Sequence, residues 1–181
     1  MNKSLPYVIS QAQVASRSNP ELKILLKKTL RDLNQIKNNQ DQIKHIHKQI
    51  DLELRNNIEG STCKKGCHFC CYHTINLSKD EGQLLKETSS FIDQNRLNMQ
   101  KKGQCSTLED TSCVLLKNGE CSNYKNRPII CRLTFVSSEP SHCHVQNEVK
   151  PISHLRVEKA AIIAGAYYMY NNNLITLPES F

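Results

Sequence analysis

The 181-residue chain is polar and basic, and its composition leaves room for only a modest apolar core. It has no Trp and four Phe, yet it contains nine Cys, and its formal charge is +7. No apolar run approaches the roughly 20 residues of a membrane span, and the polar N-terminus lacks the apolar stretch of a secretory signal. We therefore expect a cytoplasmic protein in a reducing environment, where clustered cysteines are metal ligands more often than disulfides.

Residues 1–18 are expected to form a flexible leader, and residues 19–60 an N-terminal helical segment. Asn19 is a suitable N-cap and Pro20 suits the first position of a helix. Apolar residues then recur at alternating spacings of four and three, which predicts one long amphipathic helix or two. These residues are Leu22, Leu26, Leu33, Ile36, Ile43, Ile50 and Leu54. We expect this stripe to pack on the protein's own core, and a protein partner or a homodimer bound through the N-terminal helix is the alternative. His45 and His47 are expected at the surface or in the seam.

Four cysteines fall within nine residues, in the pattern Cys63-x3-Cys67-x2-Cys70-Cys71. Further cysteines follow along the chain at Cys105, Cys113, Cys121, Cys131 and Cys143. Thiolates are soft ligands for zinc, iron and iron–sulfur clusters, and short spacings let one loop offer several sulfurs. Adjacent Cys70 and Cys71 are hard to place on one tetrahedral ion, which favours two metals or an indirect role for one thiol. The pattern predicts a metal centre carried on loops.

The positive charge does not by itself indicate a nucleic-acid partner. Ligating cysteines bind as thiolates, so eight of them on two Zn(II) ions would lower the formal charge from +7 to about +3. A [4Fe–4S] cluster on four thiolates would lower it to about +5. Nearby cations, namely Lys64, Lys65, Arg127 and Arg132, can offset thiolate charge. We expect neither nucleic acid nor membrane among the partners.

The segment after the first cysteines predicts a helix followed by loops. Ser78 and Glu81 have the spacing of a capping box, which marks the start of a helix. That helix is expected to fray near residues 95–103. Residues 103–128 contain turn signals and are predicted to be loops.

The apolar segment from about His154 to Tyr170 predicts a helix that crosses the core. We therefore expect a mainly α fold, a small helical domain organised around a loop-borne cysteine metal centre, with a long N-terminal amphipathic helix. The cysteine-cluster domain is predicted at residues 61–145. Residues 146–181 are predicted to form a C-terminal helix and tail that pack on the same core.

The cysteine pattern and its surroundings resemble the YkgJ-type cysteine-cluster family, a zinc- or iron-chelating domain. Three segments carry the likeness: Cys63 to Cys71, Cys113-Val114-Leu115-Leu116, and the stretch from Cys121 through Tyr124 and Arg127-Pro128 to Cys131-Arg132. The likeness covers about residues 60–145. It implies a domain that binds zinc or iron, with a [4Fe–4S] cluster as one form of the iron.

The resemblance also implies an eighth cysteine ligand after the Cys131-Arg132 pair. Cys143 matches its position and leaves Cys105 as the extra cysteine, although the two assignments can be exchanged. The predicted metal ligands are Cys63, Cys67, Cys70, Cys71, Cys113, Cys121, Cys131 and Cys143. Four histidines flank these cysteines and are expected to be hydrogen-bonding neighbours rather than ligands: His68, His73, His142 and His144.

Two classes of function stay open. The first is a non-catalytic metalloprotein with a structural, metal-handling or redox-sensing role. The alternative is an Fe–S-dependent methyl-transfer enzyme, because some proteins of the resembling family are linked to lysine N-methylation of flagellin. The spacing of Cys63, Cys67 and Cys70 also fits radical S-adenosylmethionine enzymes, but the chain is too short for their α/β barrel. No nucleophile–base pair or phosphate loop is found, so no catalytic residue is assigned.

Overall fold

The computed structural model describes residues 5–64, 66–146, 151–171 and 173–181. Within these ranges the protein is mainly helical, as predicted, with eight α-helices and four short strands. The helices are α1 (Leu5–Ser18), α2 (Pro20–Gln35), α3 (Asn39–Asn57), α4 (Lys79–Thr88), α5 (Gln94–Lys102), α6 (Leu108–Thr111), α7 (Ile129–Arg132) and α8 (Glu158–Tyr170). The strands are β1 (Asn76–Ser78), β2 (Leu116–Lys117), β3 (Glu120–Cys121) and β4 (Leu174–Thr176). None of these described helices combines the length and the apolar character needed to cross a membrane.

The first part of the chain forms helix α1 where the sequence led us to expect a flexible leader. Residues 1–4 of that expected leader lie outside the described residues. The start of α2 follows the prediction, because the Asn19 side chain accepts the Glu21 N–H at 2.9 Å and Pro20 occupies the first turn. The side chain of Ala12 in α1 is buried in a small cluster with Leu22 of α2. The helix is therefore held by packing as well as by its own hydrogen bonds.

A break between α2 and α3 divides the predicted N-terminal amphipathic stretch into two helices. Ile36 is extended at the end of α2, and Asn38 caps α3 by accepting the Asp41 N–H at 3.1 Å. The buried Gln42 amide donates to the carbonyls of Leu33 and Ile36 at 2.9 and 2.8 Å. These bonds satisfy carbonyls that a helix end leaves without helical partners. A single long helix is not formed, and the two-helix arrangement is the one observed.

Helix α8 crosses the larger hydrophobic cluster, as its apolar sequence predicted. It begins at Glu158, four residues after the predicted start, and α1, α2 and α3 all pack against it. The buried members of this cluster are Leu33, Ile43, Ile46, Ile50, Leu54, Leu84, Ile129, Ile130, Ala160, Ile163, Ala164, Tyr167 and Tyr168. Much of the predicted N-terminal stripe is thus buried in the chain's own core.

A smaller hydrophobic cluster lies around β1, α4 and the C-terminal segment. Its buried members are Leu77, Leu85, Leu97, Val114, Leu115 and Leu177. Strand β1 pairs with β4, with Leu77 opposite Ile175, so the C-terminal segment closes this cluster. The cysteine segments lie between the two clusters: Cys131 packs against the larger one, and Cys113 and Cys121 pack against the smaller one.

Candidate metal centre

The first cysteine segment is a loop that ends in a 3-10 turn at Phe69–Tyr72. Gly66 has a φ of +84°, in the left-handed region that favours glycine. Next to it, the Cys67 N–H donates to the carbonyl three residues earlier at 3.0 Å. Cys70 and Cys71 lie together in the 3-10 turn, where their thiols hydrogen-bond to each other. Lys65, expected to offset thiolate charge, lies outside the described residues.

One backbone hydrogen bond joins the two cysteine segments. The Cys113 N–H donates to the carbonyl of Cys71 at 2.7 Å. Strand β2 then turns at Asn118 and Gly119, which both have positive φ, and returns as β3, which ends at Cys121. The hairpin therefore returns the chain toward Cys113, as the turn signal in this predicted loop region allows.

The buried carboxyl group of Glu81 fixes the short helix α7, which carries Cys131. Its Oε2 accepts the Ser78 N–H at 2.8 Å, which completes the predicted capping box. Its Oε1 accepts the Ile129 N–H at 2.8 Å and faces the Tyr168 hydroxyl at 3.4 Å. Burial raises the pKa of Glu81, and these donors oppose the rise. The sequence showed the capping box but carried no signal for the contact with Ile129.

Five thiols from these segments lie close enough to change one another's ionisation: Cys70, Cys71, Cys113, Cys121 and Cys131. Burial raises the pKa of Cys113 to about 11, and neighbouring thiols add to the rise. Burial likewise raises the pKa of Cys131 well above its ordinary value. Such thiols do not all ionise unless a cation supplies the opposing charge. A bound metal ion would supply that positive charge, because cysteine ligands bind metal as thiolates.

The pKa values of the Cys70 and Cys71 thiols shift in opposite directions, although the two residues are adjacent in the chain. The hydrogen bond from Cys71 lowers the pKa of Cys70 to about 7, and the same bond raises the pKa of Cys71. Within this pair, Cys70 is therefore the thiol that ionises first. A thiolate is the form of cysteine that binds metal, so Cys70 is prepared for that role.

Three of the thiols accept a hydrogen bond from the backbone N–H two residues further along the chain. The pairs are Phe69 N–H with Cys67, Leu115 N–H with Cys113, and Asn123 N–H with Cys121. Each bond favours the thiolate over the thiol, and each holds the sulfur in a fixed direction. In this respect the donor set fits a metal bound by thiolates.

Cys63 and Cys67 interact with each other at one end of the group. Burial raises the pKa of Cys67, and the Cys63 thiol adds to the rise through its charge and a hydrogen bond. Cys70 also acts on Cys67. The thiol of Cys67 therefore lies between Cys63 and the five mutually interacting thiols.

Cys143 and Cys105, the two candidates for the eighth ligand, occupy different surroundings. Cys143 is buried in a 3-10 turn, Pro140–Cys143, which packs against the turn at Phe69–Tyr72. Its carbonyl accepts a hydrogen bond from the ring of His73 at 2.8 Å. The thiol of Cys105 instead donates to the carbonyl of Asp110 at 3.6 Å, beside α6. The structure thus places Cys143 against the first cysteine segment.

The predicted ligands are neighbours rather than a completed coordination shell. Across the part of the chain that the structure describes, no group of three or more Cys, His, Asp or Glu side chains has the arrangement of a metal site. The chemistry of the donors fits, because soft sulfurs, N–H···S bonds and one stabilised thiolate occur together. The identity of the ligands remains a prediction.

A family model described as a zinc- or iron-chelating domain, CxxCxxCC, matches residues 62–154. The match covers about half of the chain and contains all nine cysteines. The chain belongs to the CxxCxxCC family. This confirms the resemblance seen in the sequence and makes the protein a cysteine-rich metal-binding protein of the zinc- or iron-chelating type. Searches of the curated proteins and of the solved structures return no match.

Arg127 is the cation that acts on several thiols of the CxxCxxCC domain. Its guanidinium stacks on the ring of Tyr124, 3.9 Å from the centroid. Burial raises the pKa values of Cys121 and Cys131, and the charge of Arg127 opposes both shifts. The expected role of this arginine in offsetting thiolate charge is therefore consistent with its position.

Arg132 connects the same loop of the CxxCxxCC domain to helix α3. Its guanidinium contacts both carboxylate oxygens of Asp51, at 2.7 and 2.6 Å. It also donates to the carbonyls of Arg127 and Lys125 and to Nδ1 of His47 at 3.2 Å. His47, expected at the surface or in the seam, is buried with 6% of its surface exposed. The sequence did not predict the contacts of Arg132 with Asp51 and His47, because each contact joins residues more than 80 positions apart.

The flanking histidines of the CxxCxxCC domain contact rings and carbonyls, as expected of hydrogen-bonding neighbours. His68 stacks on Phe69 with 5.3 Å between ring centroids, and His144 meets the edge of the same ring at 5.8 Å. The ring of His142 lies 3.4 Å from the Pro151 carbonyl. With the bond from His73 to the Cys143 carbonyl, these contacts hold the loops around the sulfurs.

Proposed function

We propose that this CxxCxxCC protein binds zinc or iron ions that have a structural role, holding the loops between its two hydrophobic clusters. The proposed ligands are the thiolates of Cys63, Cys67, Cys70, Cys71, Cys113, Cys121, Cys131 and Cys143. The bound ions would supply positive charge to a group of thiols that cannot all ionise without it. Iron bound as a [4Fe–4S] cluster belongs to the same proposal.

The observation that carries the proposal is the position of the sulfurs between the two hydrophobic clusters. Cys131 contacts the larger cluster, and Cys113 and Cys121 contact the smaller one. The regular structure around them is slight: a 3-10 turn at Phe69–Tyr72, the two-residue strands β2 and β3, and the four-residue α7. Loops of this kind need cross-links, and metal-binding free energy becomes folding free energy when the ligands come from distant segments.

The thiols also bear on where the protein functions. The proposed ligands must stay reduced to bind metal as thiolates. Such thiols stay reduced in the cytoplasm, whereas they oxidise in secretory compartments. We therefore include a cytoplasmic location in the proposal.

The test compares two cysteine variants, one within the group of interacting thiols and one outside it. Cys131→Ser removes a proposed ligand, and Cys105→Ser is the matched control beside Asp110. Each protein is purified without oxygen, its zinc and iron are counted, and its resistance to limited proteolysis is measured. We expect Cys131→Ser to lose most of its metal and to be cleaved faster, while Cys105→Ser keeps both properties.

Two further measurements separate loss of metal from poor packing of the serine. Treating the wild-type protein with a chelator should produce the same cleavage sites as Cys131→Ser. Cys67→Ser, at a less buried position, should also lose metal. Wild-type metal content in Cys131→Ser and Cys67→Ser would contradict the proposed ligands. A chelated wild-type protein that resists protease as before would contradict the structural role. Brown protein with iron and sulfide would identify an iron–sulfur cluster, and colourless protein with zinc would identify zinc ions.

A further inference from the structure

A basic groove with a volume of about 410 Å³ lies between α3 and the loop that precedes α7. Lys44, Lys48 and Arg55 line it from one face of α3, because their spacings of four and seven residues bring them to the same side of a helix. Lys125 lines it from the loop. These four side chains are exposed, and none of them has a role in the proposed metal centre.

Little negative charge opposes these cations. Asp51 is the acidic residue among the lining residues, and its carboxylate is taken by both contacts from Arg132. Lys44 lies 4.0 Å from Asp41, and its charge also acts on the exposed Glu87, so it is the most compensated of the four cations. Among the described residues, no ion pair within 4.0 Å is found for Lys48, Arg55 or Lys125. The groove therefore keeps a net positive charge, which comes mainly from Lys48, Arg55 and Lys125.

His47 is among the residues that line this groove, and its ring carries a buried donor. Arg132 donates to Nδ1 of His47, and a guanidinium cannot accept, so Nδ1 has no proton. Burial, and then the charge of Arg132, lowers the pKa of His47 to about 3, so the ring is neutral at neutral pH. Its proton is therefore on Nε2. That buried N–H has no acceptor among the described residues.

We propose that this groove binds a small phosphate-bearing anion. Phosphate oxygens accept from ammonium and guanidinium groups, which line the groove, and they also accept from a neutral imidazole N–H such as the unpaired one of His47. The volume is in the range of small-molecule sites, which is about 300–1,000 Å³. A diphosphate group would lie across α3 and the loop, within reach of both Lys48 and Lys125.

The test is calorimetric titration of the metal-loaded full chain with inorganic pyrophosphate at low ionic strength. A double variant, Lys48→Ala with Lys125→Ala, removes two groove cations. Lys23→Ala with Lys27→Ala removes two exposed cations from α2 and is the control of equal charge. We expect the groove variant to weaken binding about tenfold or more, and the control to change it less than about twofold. These surface substitutions are far less disruptive than a change at His47.

A second measurement follows the imidazole itself. The ¹⁵N resonance of His47 Nε2 should move on addition of pyrophosphate in the wild-type protein. The proposal is wrong if pyrophosphate does not bind, if both double variants weaken it equally, or if Nε2 does not respond. Single-stranded RNA is the comparison ligand. If RNA binds more tightly than pyrophosphate, and if both double variants weaken RNA binding equally, the surface binds polyanions in general and the proposal is wrong.

Discussion

Replacing Arg132 by Lys should destabilise the protein although it preserves the positive charge. The guanidinium contacts both oxygens of Asp51, donates to two loop carbonyls and reaches His47. A lysine ammonium has three donors and no planar fork, so it cannot reproduce this set. Breaking a buried ion pair costs about 3–5 kcal/mol. The side chain of Asp51 is 46% exposed and stays partly hydrated, so we expect a loss of about 2–3 kcal/mol.

Urea unfolding of the metal-loaded protein measures this loss as a change in the free energy of unfolding. The control is Arg31→Lys, at an exposed arginine whose contact with Asp32 is 4.0 Å long. An exposed pair of this kind contributes less than about 1 kcal/mol, so the control should be nearly unchanged. An Arg132→Lys protein within about 0.5 kcal/mol of the wild type would refute the argument that the fork joins the cysteine loop to α3.

Three further changes test the buried contacts. Glu81→Gln should lower the free energy of unfolding by about 1–3 kcal/mol, because its amide would face one of two backbone N–H donors; an unchanged urea midpoint would contradict this. Since the pKa of His47 falls from 6.5 to about 3 on folding, the unfolded chain binds a proton that the folded protein does not. The free energy of unfolding should therefore decrease as the pH is lowered from about 6.5 to about 3, by up to roughly 5 kcal/mol, and the decrease should be smaller in His47→Gln. Gly82→Ala should lower the Tm, because an added Cβ would lie 2.6 Å from Cβ of Ser180; an equal Tm would show that the contact relaxes freely.

The sequence predicted correctly those helices whose formation depends on residues close together in the chain. The cap at Asn19, the capping box at Ser78 and the apolar stretch of α8 all depend on residues within a few positions of each other, and all are present. Helix α1 was missed because its first turn has no acidic residue to mark a helix start, and because it packs on α8, more than 140 residues away. The break near Ile36 was left open, since Gln42 covers the end of α2 only in the folded protein.

The candidate metal centre likewise has one part that the sequence predicted and another part that it did not. Cysteine spacing and the family resemblance predicted that the two cysteine segments lie together, and the structure joins them by the hydrogen bond from the Cys113 N–H to the Cys71 carbonyl. The partners of Arg132 and the second contact of Glu81 could not be predicted, because Asp51 and Ile129 are ordinary residues in their own stretches of sequence. Their roles arise from contacts across 81 and 48 residues, which no local pattern encodes.

The larger hydrophobic cluster is built from both sides of the cysteine region, since α1, α2 and α3 pack on α8. On the ribosome, α8 emerges after all nine cysteines, so the thiols are made before the core that surrounds them can close. A nascent chain would therefore expose a reactive group of sulfurs for the time needed to translate residues 144–170. Early capture of metal during translation would protect them, and a fragment limited to residues 62–154 would lack the helices that complete this core.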